Sequence, residues 1–332
     1  MKKIICAILS VLLAVSAIFT FTGCGNEGDG QDKTYKIGII QYMSHPSLDN
    51  CTNGIRSALD ASGIKYELYS GSVQVGSANS ADSDCVSFAK NMSVSCDLIF
   101  AVATPAAKAA FAAVEDTDVP VIFCAVTDPI RSKLVNSLDA PGYACTGTSD
   151  VLDLAAQLKL IKDMQPDVKK IGILYTSSED NSISNLATFR TLCSQQGIEV
   201  VAKSVNSASD IPSAANELAS QVDCINNFTD NNVVENLAVV LSAADTYGIP
   251  VYGSEVEQVK NGCLAAVSID YFVLGKVTGQ MGADILGGAD ASKMAVRTIS
   301  DATPVINTEV LEDLDMTMPD AYAEAETVVT ND

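Results

Sequence analysis

From Tyr35 onward the chain alternates short apolar runs with longer stretches in which apolar residues recur every three or four positions. The short runs predict strands near 35–41, 65–70, 97–102, 120–125 and 143–148, and again near 169–175, 198–205, 223–228, 249–253 and 263–268. They are rich in Val and Ile and apolar on both faces, as strands buried inside a parallel sheet are, and the helical periods between them complete βαβ units. A further helix is predicted from Tyr271 to Leu286, ending at Gly287-Gly288.

The pattern occurs twice, at a spacing of about 130 residues. Lys36-Ile37-Gly38-Ile39-Ile40 is answered by Lys170-Ile171-Gly172-Ile173-Leu174, and Gly63-Ile64-Lys65-Tyr66-Glu67 by Gly197-Ile198-Glu199-Val200-Val201. Asp97-Leu98-Ile99-Phe100 matches Asp223-Cys224-Ile225-Asn226, and Val119-Pro120-Val121-Ile122 matches Ile249-Pro250-Val251-Tyr252. Two α/β halves with one order of elements are therefore expected.

The first residues follow a different rule. Lys2 and Lys3 precede an apolar run from Ile4 to Phe21, which reads as a secretion signal over residues 1–23. Gly25 to Thr34 is polar, acidic and Gly-rich, so residues 24–34 are expected to form a tether reaching roughly 30 Å when extended. Without Lys2 and Lys3 the chain carries 18 basic and 41 acidic residues, which argues against a nucleic-acid partner. Ten cysteines occur without a C-x-x-C pair, and Cys96, Cys124, Cys224 and Cys263 sit singly in apolar runs, as buried free thiols do. A reducing habitat would suit them.

In an open parallel sheet ligands bind beyond the carboxyl ends of the strands, so the loops that follow each strand are the ones to examine. Thr104-Pro105 and Asp128-Pro129 place a capping residue before a Pro suited to the first helical position, while Ser177 to Ser182 and Thr229-Asp230-Asn231 open helices in the second half. Helix N-termini attract anions, and Asp128, Glu179, Asp230 or Glu255 could receive an ammonium, so a zwitterion would satisfy both demands. The sharpest expectation is that Asp230 accepts a ligand ammonium while Ser178 and the following backbone N–H groups hold its carboxylate. Against it stands the plainer reading of Asp230 as the cap of the helix after Phe228. Tyr42, Tyr175, Phe228 and Tyr271 stand at strand ends, to stack on a flat ligand or to pack strand against helix. His45, the only histidine, precedes Pro46 and reads as a turn or cap residue rather than a base.

Several segments together resemble one family. Gln41 to Asp49, Ala103-Thr104-Pro105-Ala106-Ala107 and Ala125-Val126-Thr127-Asp128-Pro129 look like first-lobe motifs of the ABC-importer substrate-binding lipoproteins associated with tryptophan and tyrosine. Tyr175 to Ser182, Thr229-Asp230-Asn231 and Ser268 to Gly275 look like the second-lobe and hinge motifs, in order along the chain. Phe21-Thr22-Gly23-Cys24 resembles a lipobox, which would make Cys24 the lipidated first mature residue. The resemblance implies a type I periplasmic-binding-protein fold: two Rossmann-like lobes with parallel sheets, joined by hinge crossovers and closing on an amino acid, notably an aromatic one. It implies Ser178, Glu179, Ser182, Asp230 and Asn231 on the second-lobe wall, with Thr104, Thr127 and Asp128 opposite. Tyr42, His45 and Asp270, within the matched segments, complete the candidate ligand-binding set. Gly253 to Glu257 and Asn226-Asn227-Phe228 depart from the family pattern, and this leaves the ligand's identity open.

Lobe 1 is then expected over 35–146 plus about 270–297, with the helix from Tyr271 returning to it. Lobe 2 is expected over 147–269 plus about 298–332, with bending near Gly147, Ile269-Asp270 and the segment after Gly288. The chain carries no Walker loop, Gly-x-Ser-x-Gly elbow, metal-spaced His cluster or dinucleotide fingerprint, so no enzyme activity, metal or cofactor is expected. The expected partners of this monomer are a small solute, an ABC permease with its ATPase, and the outer face of the cytoplasmic membrane through the lipid. A sensory lipoprotein, or a receptor for a nucleoside, sugar or short peptide, is the alternative, since a fold alone does not select among these.

Overall fold

The computed structural model describes residues 33–70, 81–299 and 302–331. The expected signal, Cys24 and the expected tether as far as residue 32 lie outside the described residues. Among the described residues no helix is long and apolar enough to cross a membrane.

The first sheet is built on β1 (Tyr35–Gln41), β2 (Tyr66–Leu68), β3 (Leu98–Val102), β4 (Val121–Cys124) and β5 (Cys145–Ser149), with β11 (Arg297–Thr298) added at one edge. Its order is β11-β5-β4-β3-β1-β2 and every pairing is parallel. β3, β4 and β5 are buried along their whole length, because helices cover both faces. The second sheet runs β7-β6-β8-β9, from β6 (Lys170–Thr176), β7 (Glu199–Val205), β8 (Cys224–Asn226) and β9 (Val251–Tyr252). Alternate residues of β6 feed different cores: Ile171 and Ile173 join one apolar cluster and Leu174 the other.

Beyond β9 the parallel sheet gains an antiparallel extension. β10 (Ala265–Ser268) pairs antiparallel with β12 (Thr303–Asn307), which pairs in parallel with β13 (Glu326–Val328). Two hydrogen bonds, Leu264 N to Val251 O at 2.7 Å and Gly253 N to Ala265 O at 2.9 Å, tie this group to β9. The chain re-enters the second half from the first and so meets β10 from the opposite direction.

The helix α10 (Tyr271–Leu286) lies against α1 (Pro46–Ala61) of the first half. Glycines permit the approach: a Cβ on Gly275 would stand 2.1 Å from Cys51 O, one on Gly279 2.6 Å from Ile55 O, and one on Gly54 2.2 Å from Phe272 O. Leu274 and Met281 thereby enter the first core although they follow the whole second half in sequence. The first sheet keeps the chain to Ser149, so the passage between halves falls at residues 150–153. Gly147 therefore lies inside the sheet and not at a bend, and a Cβ there would stand 1.9 Å from Phe123 O. All eight cysteines among the described residues are free and buried.

Candidate ligand-binding site

The carboxyl ends of both sheets face each other across one narrow space with a cavity volume of about 20 Å³. In the first half, β1 delivers His45, Ser47 and Leu48, β3 delivers Ala103 and Thr104, β4 delivers Ala125 and Thr127, and β5 delivers Asp150. In the second, Asn181 comes from α5 (Asp180–Gln195), Asn231 and Val234 from α7 (Asn231–Glu235) with Thr229 just before it, and Gln258 from α9 (Val256–Lys260) with its cap Glu255. Tyr271, at the start of α10, closes the hinge side. Ala103 (φ 79°) and Ala125 (φ 56°) both hold left-handed backbone conformations unusual for alanine, and both line the space. Strain of this kind persists where surrounding structure imposes it, commonly at ligand sites.

The wall is polar and only partly satisfied by protein. Thr104 Oγ1, Asn181 Oδ1, Thr229 Oγ1, Gln258 Oε1 and His45 Nδ1 are buried and form no hydrogen bond with a protein partner. Buried polar groups are normally paired, so a cluster of such atoms around one space marks a surface prepared for a polar ligand. Two carboxylates join them. Asp150 accepts from Thr127 Oγ1 at 2.9 Å and Tyr271 Oη at 3.0 Å, and burial raises its pKa despite both bonds. Glu255 caps α9 through Gln258 N and Glu257 N, and burial pushes its carboxyl up to about 7. Among the described residues no Lys or Arg lines the space, and no group of His, Cys, Asp or Glu is arranged to hold a metal ion.

Of the residues singled out in the sequence, His45, Thr104, Thr127, Asn231, Glu255 and Tyr271 line this space. His45 occupies the cap position of α1 but forms no capping bond, and Thr104 is the first helical residue after Ala103, so neither side chain is spent on a helix end. The others stand elsewhere. Asp230 is fully buried behind the wall, where Oδ2 accepts from Thr176 N (2.6 Å) and Ser182 Oγ (2.6 Å) and Oδ1 from Thr176 Oγ1 (2.8 Å) and Val233 N (3.0 Å). This corrects the expectation that Asp230 takes a ligand ammonium: four protein donors occupy its two oxygens, and Ser182 is one of them. Glu179 is likewise occupied by the Asn181 and Asn231 amides and the backbone of Asn231 and Asn232. Burial first, and then nearby Asp230, raise its pKa. Ser178 is exposed and lies with Tyr42 and Glu179 along an outer groove that meets the enclosed space only at Thr104, so it is not placed to hold a carboxylate inside. Asp270 is exposed and caps α10 through Phe272 N and Val273 N. Asp150, Thr229 and Asn181 were not singled out as ligand contacts, although each follows a strand within a few residues, which was the available signal; Glu255 was weighed as an ammonium acceptor and Tyr271 as a stacking residue, and both line the space.

Three contacts bridge the halves around this space. Lys108 Nζ pairs with Asp180 Oδ2 at 2.6 Å, Ser184 Oγ donates to Asp128 Oδ2 at 2.8 Å, and His45 Nε2 stands 3.5 Å from Asn231 Oδ1. Asp128 is therefore an inter-lobe contact; its other oxygen accepts from Arg131 N in a turn, not in the helix expected after Pro129.

Residues 36–329 match the family model of the ABC transporter substrate binding protein. A tyrosine-binding protein of Clostridioides difficile (strain R20291) is 34% identical over 332 residues, which cover 95% of this chain and 93% of that protein. The crystal structure of an ABC domain in complex with L-Trp from Streptococcus pneumonia is 33% identical, with a TM-score of 0.83 over 89% of this chain and all of that one. The ligand-free, open structure of a substrate binding protein with adhesive properties from Clostridium difficile is 32% identical and covers 90% of this chain and all of its own, yet its TM-score is 0.67. At nearly equal identity the chain superposes better on the liganded structure, in keeping with the bridges between its halves. The two-lobed periplasmic-binding-protein fold expected from the resemblance is the one these structures share.

Proposed function

Because the chain belongs to the ABC transporter substrate binding protein family, we propose that it captures an aromatic amino acid, tyrosine or tryptophan foremost, between its lobes and delivers it to a permease driven by its ATPase. The carrying observation is the wall of the enclosed space: two buried carboxylates, no cationic side chain, a ring of unpaired hydroxyl and amide atoms, and apolar flanks at Leu48 and Val234. The ligand ammonium faces Asp150 and Glu255, and its carboxylate takes hydrogen bonds from the hydroxyls of Thr104 and Thr229. The ring packs against Leu48, Val234 and the face of Tyr271. The relatives named for tyrosine and solved with L-Trp support the same class. A thermal-shift screen of the twenty amino acids with sugars and nucleosides as controls is the test, since ligand at 100 times its Kd adds about 2.7 kcal/mol. Tyrosine and tryptophan are expected to give the largest shifts; a larger one from a sugar or nucleoside would overturn the assignment.

Protonation of the wall gives a second check. A ligand ammonium favours ionised Glu255 and Asp150, whose pKa values are raised, Glu255 to about 7. Binding should therefore release protons near neutral pH, with affinity rising through pH 7 and falling as the medium is acidified below it. Titration calorimetry between pH 5.5 and 8 reads this directly, and a flat profile would remove the ammonium from Glu255.

The same reading has the protein work as a monomer outside the cytoplasmic membrane, held by acyl chains on Cys24. Two chains anchor stably where one is marginal. Cys24→Ala is expected to move the protein from the membrane to the soluble fraction; retention would mean a different anchor.

A further inference from the structure

We propose that His45 is a hydrogen-bond acceptor for the ligand side chain and selects aromatic solutes that carry a ring donor, an indole N–H or a phenol O–H, over those that carry none. The inference rests on the amino-acid reading above. It starts from Glu179, whose Oε2 accepts from Asn231 N at 3.1 Å and from Asn231 Nδ2 at 2.7 Å. The backbone N–H of Asn231 can only donate, so Oε2 is an acceptor and turns the Asn231 amide until Nδ2 points to Glu179 and Oδ1 points away. That Oδ1 faces His45 Nε2, 3.5 Å away across the cleft. Of two facing atoms one must donate, and an amide oxygen cannot, so Nε2 carries the hydrogen. Burial lowers the His45 pKa to about 4, hence the ring is neutral at pH 7 and has a single N–H. Nδ1 is then a bare lone pair.

His45 lines the enclosed space, and its Nδ1 is buried with no protein partner. Its surroundings suit a ring edge better than an ammonium. Leu48 lies one helical turn from His45, and Val234 one turn from Asn231, so each histidine or asparagine has an apolar neighbour on the same wall. The negative charge of the space is supplied by Asp150 and Glu255. A neutral acceptor flanked by aliphatic side chains matches the donor at the edge of an indole or phenol. A ligand without that donor leaves the lone pair buried and unpaired, which is how polar sites reject apolar analogues far more strongly than apolar sites reject polar ones.

The test is titration calorimetry of the secreted chain with L-tryptophan, 1-methyl-L-tryptophan, L-tyrosine and L-phenylalanine, for the natural sequence, His45→Ala and His45→Gln. The natural protein is expected to prefer tryptophan over its 1-methyl derivative, and tyrosine over phenylalanine, by tenfold or more. In His45→Ala both ratios should fall to within about threefold, and His45→Gln, which retains an acceptor, should restore part of them. Equal affinities within each pair for the natural protein, or ratios unchanged in a folded His45→Ala, would overturn the role of His45 while leaving the amino-acid site intact. Failure of all four ligands to bind the natural protein would instead remove the amino-acid reading, and this inference with it.

Discussion

Asp230→Ala is expected to destabilise the protein by about 3–5 kcal/mol, the range for removing one partner of a buried charged cluster. The side chain is fully buried and its two oxygens accept from Thr176 N, Thr176 Oγ1, Ser182 Oγ and Val233 N. Truncation strands all four donors at once, at the junction of β6, α5 and α7. Asp230→Asn is the finer probe. Whichever oxygen is replaced, the new NH₂ group meets a backbone N–H, that of Thr176 on one side or Val233 on the other, and a backbone donor cannot reverse its role. Asn caps helices about as well as Asp, so an ordinary cap would tolerate the change; here a loss of about 2 kcal/mol is expected from the clash of donors. Denaturant unfolding of both variants measures the losses, and calorimetry on the folded fraction is expected to find ligand affinity within about threefold of the natural protein. A stable Asp230→Asn that binds tenfold more weakly would return Asp230 to the ligand.

Asp150→Asn should show the reverse profile: affinity lower by about a hundredfold, stability nearly unchanged. Asp150 is 2% exposed and is the buried carboxylate of the first-half wall, yet only two donors, Thr127 Oγ1 and Tyr271 Oη, are bonded to it from other residues. Both are hydroxyls. One can continue to donate to the Asn oxygen while the other rotates to accept from its amide, so the fold keeps its hydrogen bonds. A ligand ammonium has no such recourse, and loses a charged partner. Calorimetry at pH 8, where the natural carboxylate is most fully ionised, is the measurement. A change below threefold would move the ammonium to Glu255 alone.

The order of elements was legible because it depends on local periodicity. Buried parallel strands must be apolar on both faces, so β1, β3 and β6 are visible as runs of Val, Ile and Leu, and the helix Tyr271–Leu286 is bounded by Asp270 at its start and Gly287-Gly288 at its end. The location of the site at the strand ends was legible too, since it follows from sheet topology. The strands β12 and β13 were missed. β12 is buried only over Val305–Asn307 and begins at the exposed Thr303, β13 has three largely exposed residues, and they are strands because β10 offers an edge to β12 and β12 in turn to β13.

What the sequence could not rank were its carboxylates. Asp150, Glu179, Asp230 and Glu255 all follow strands, all are buried, and nothing local separates them. The structure separates them by the donors that distant segments bring: Thr176, 54 residues before Asp230, fills that site from β6, while Asp150 receives Tyr271 from 121 residues away and still faces open space. A side chain's type and its place after a strand are properties of the chain. Whether its lone pairs are already taken is a property of the packing, because the groups that take them arrive from elements that meet only in the folded molecule.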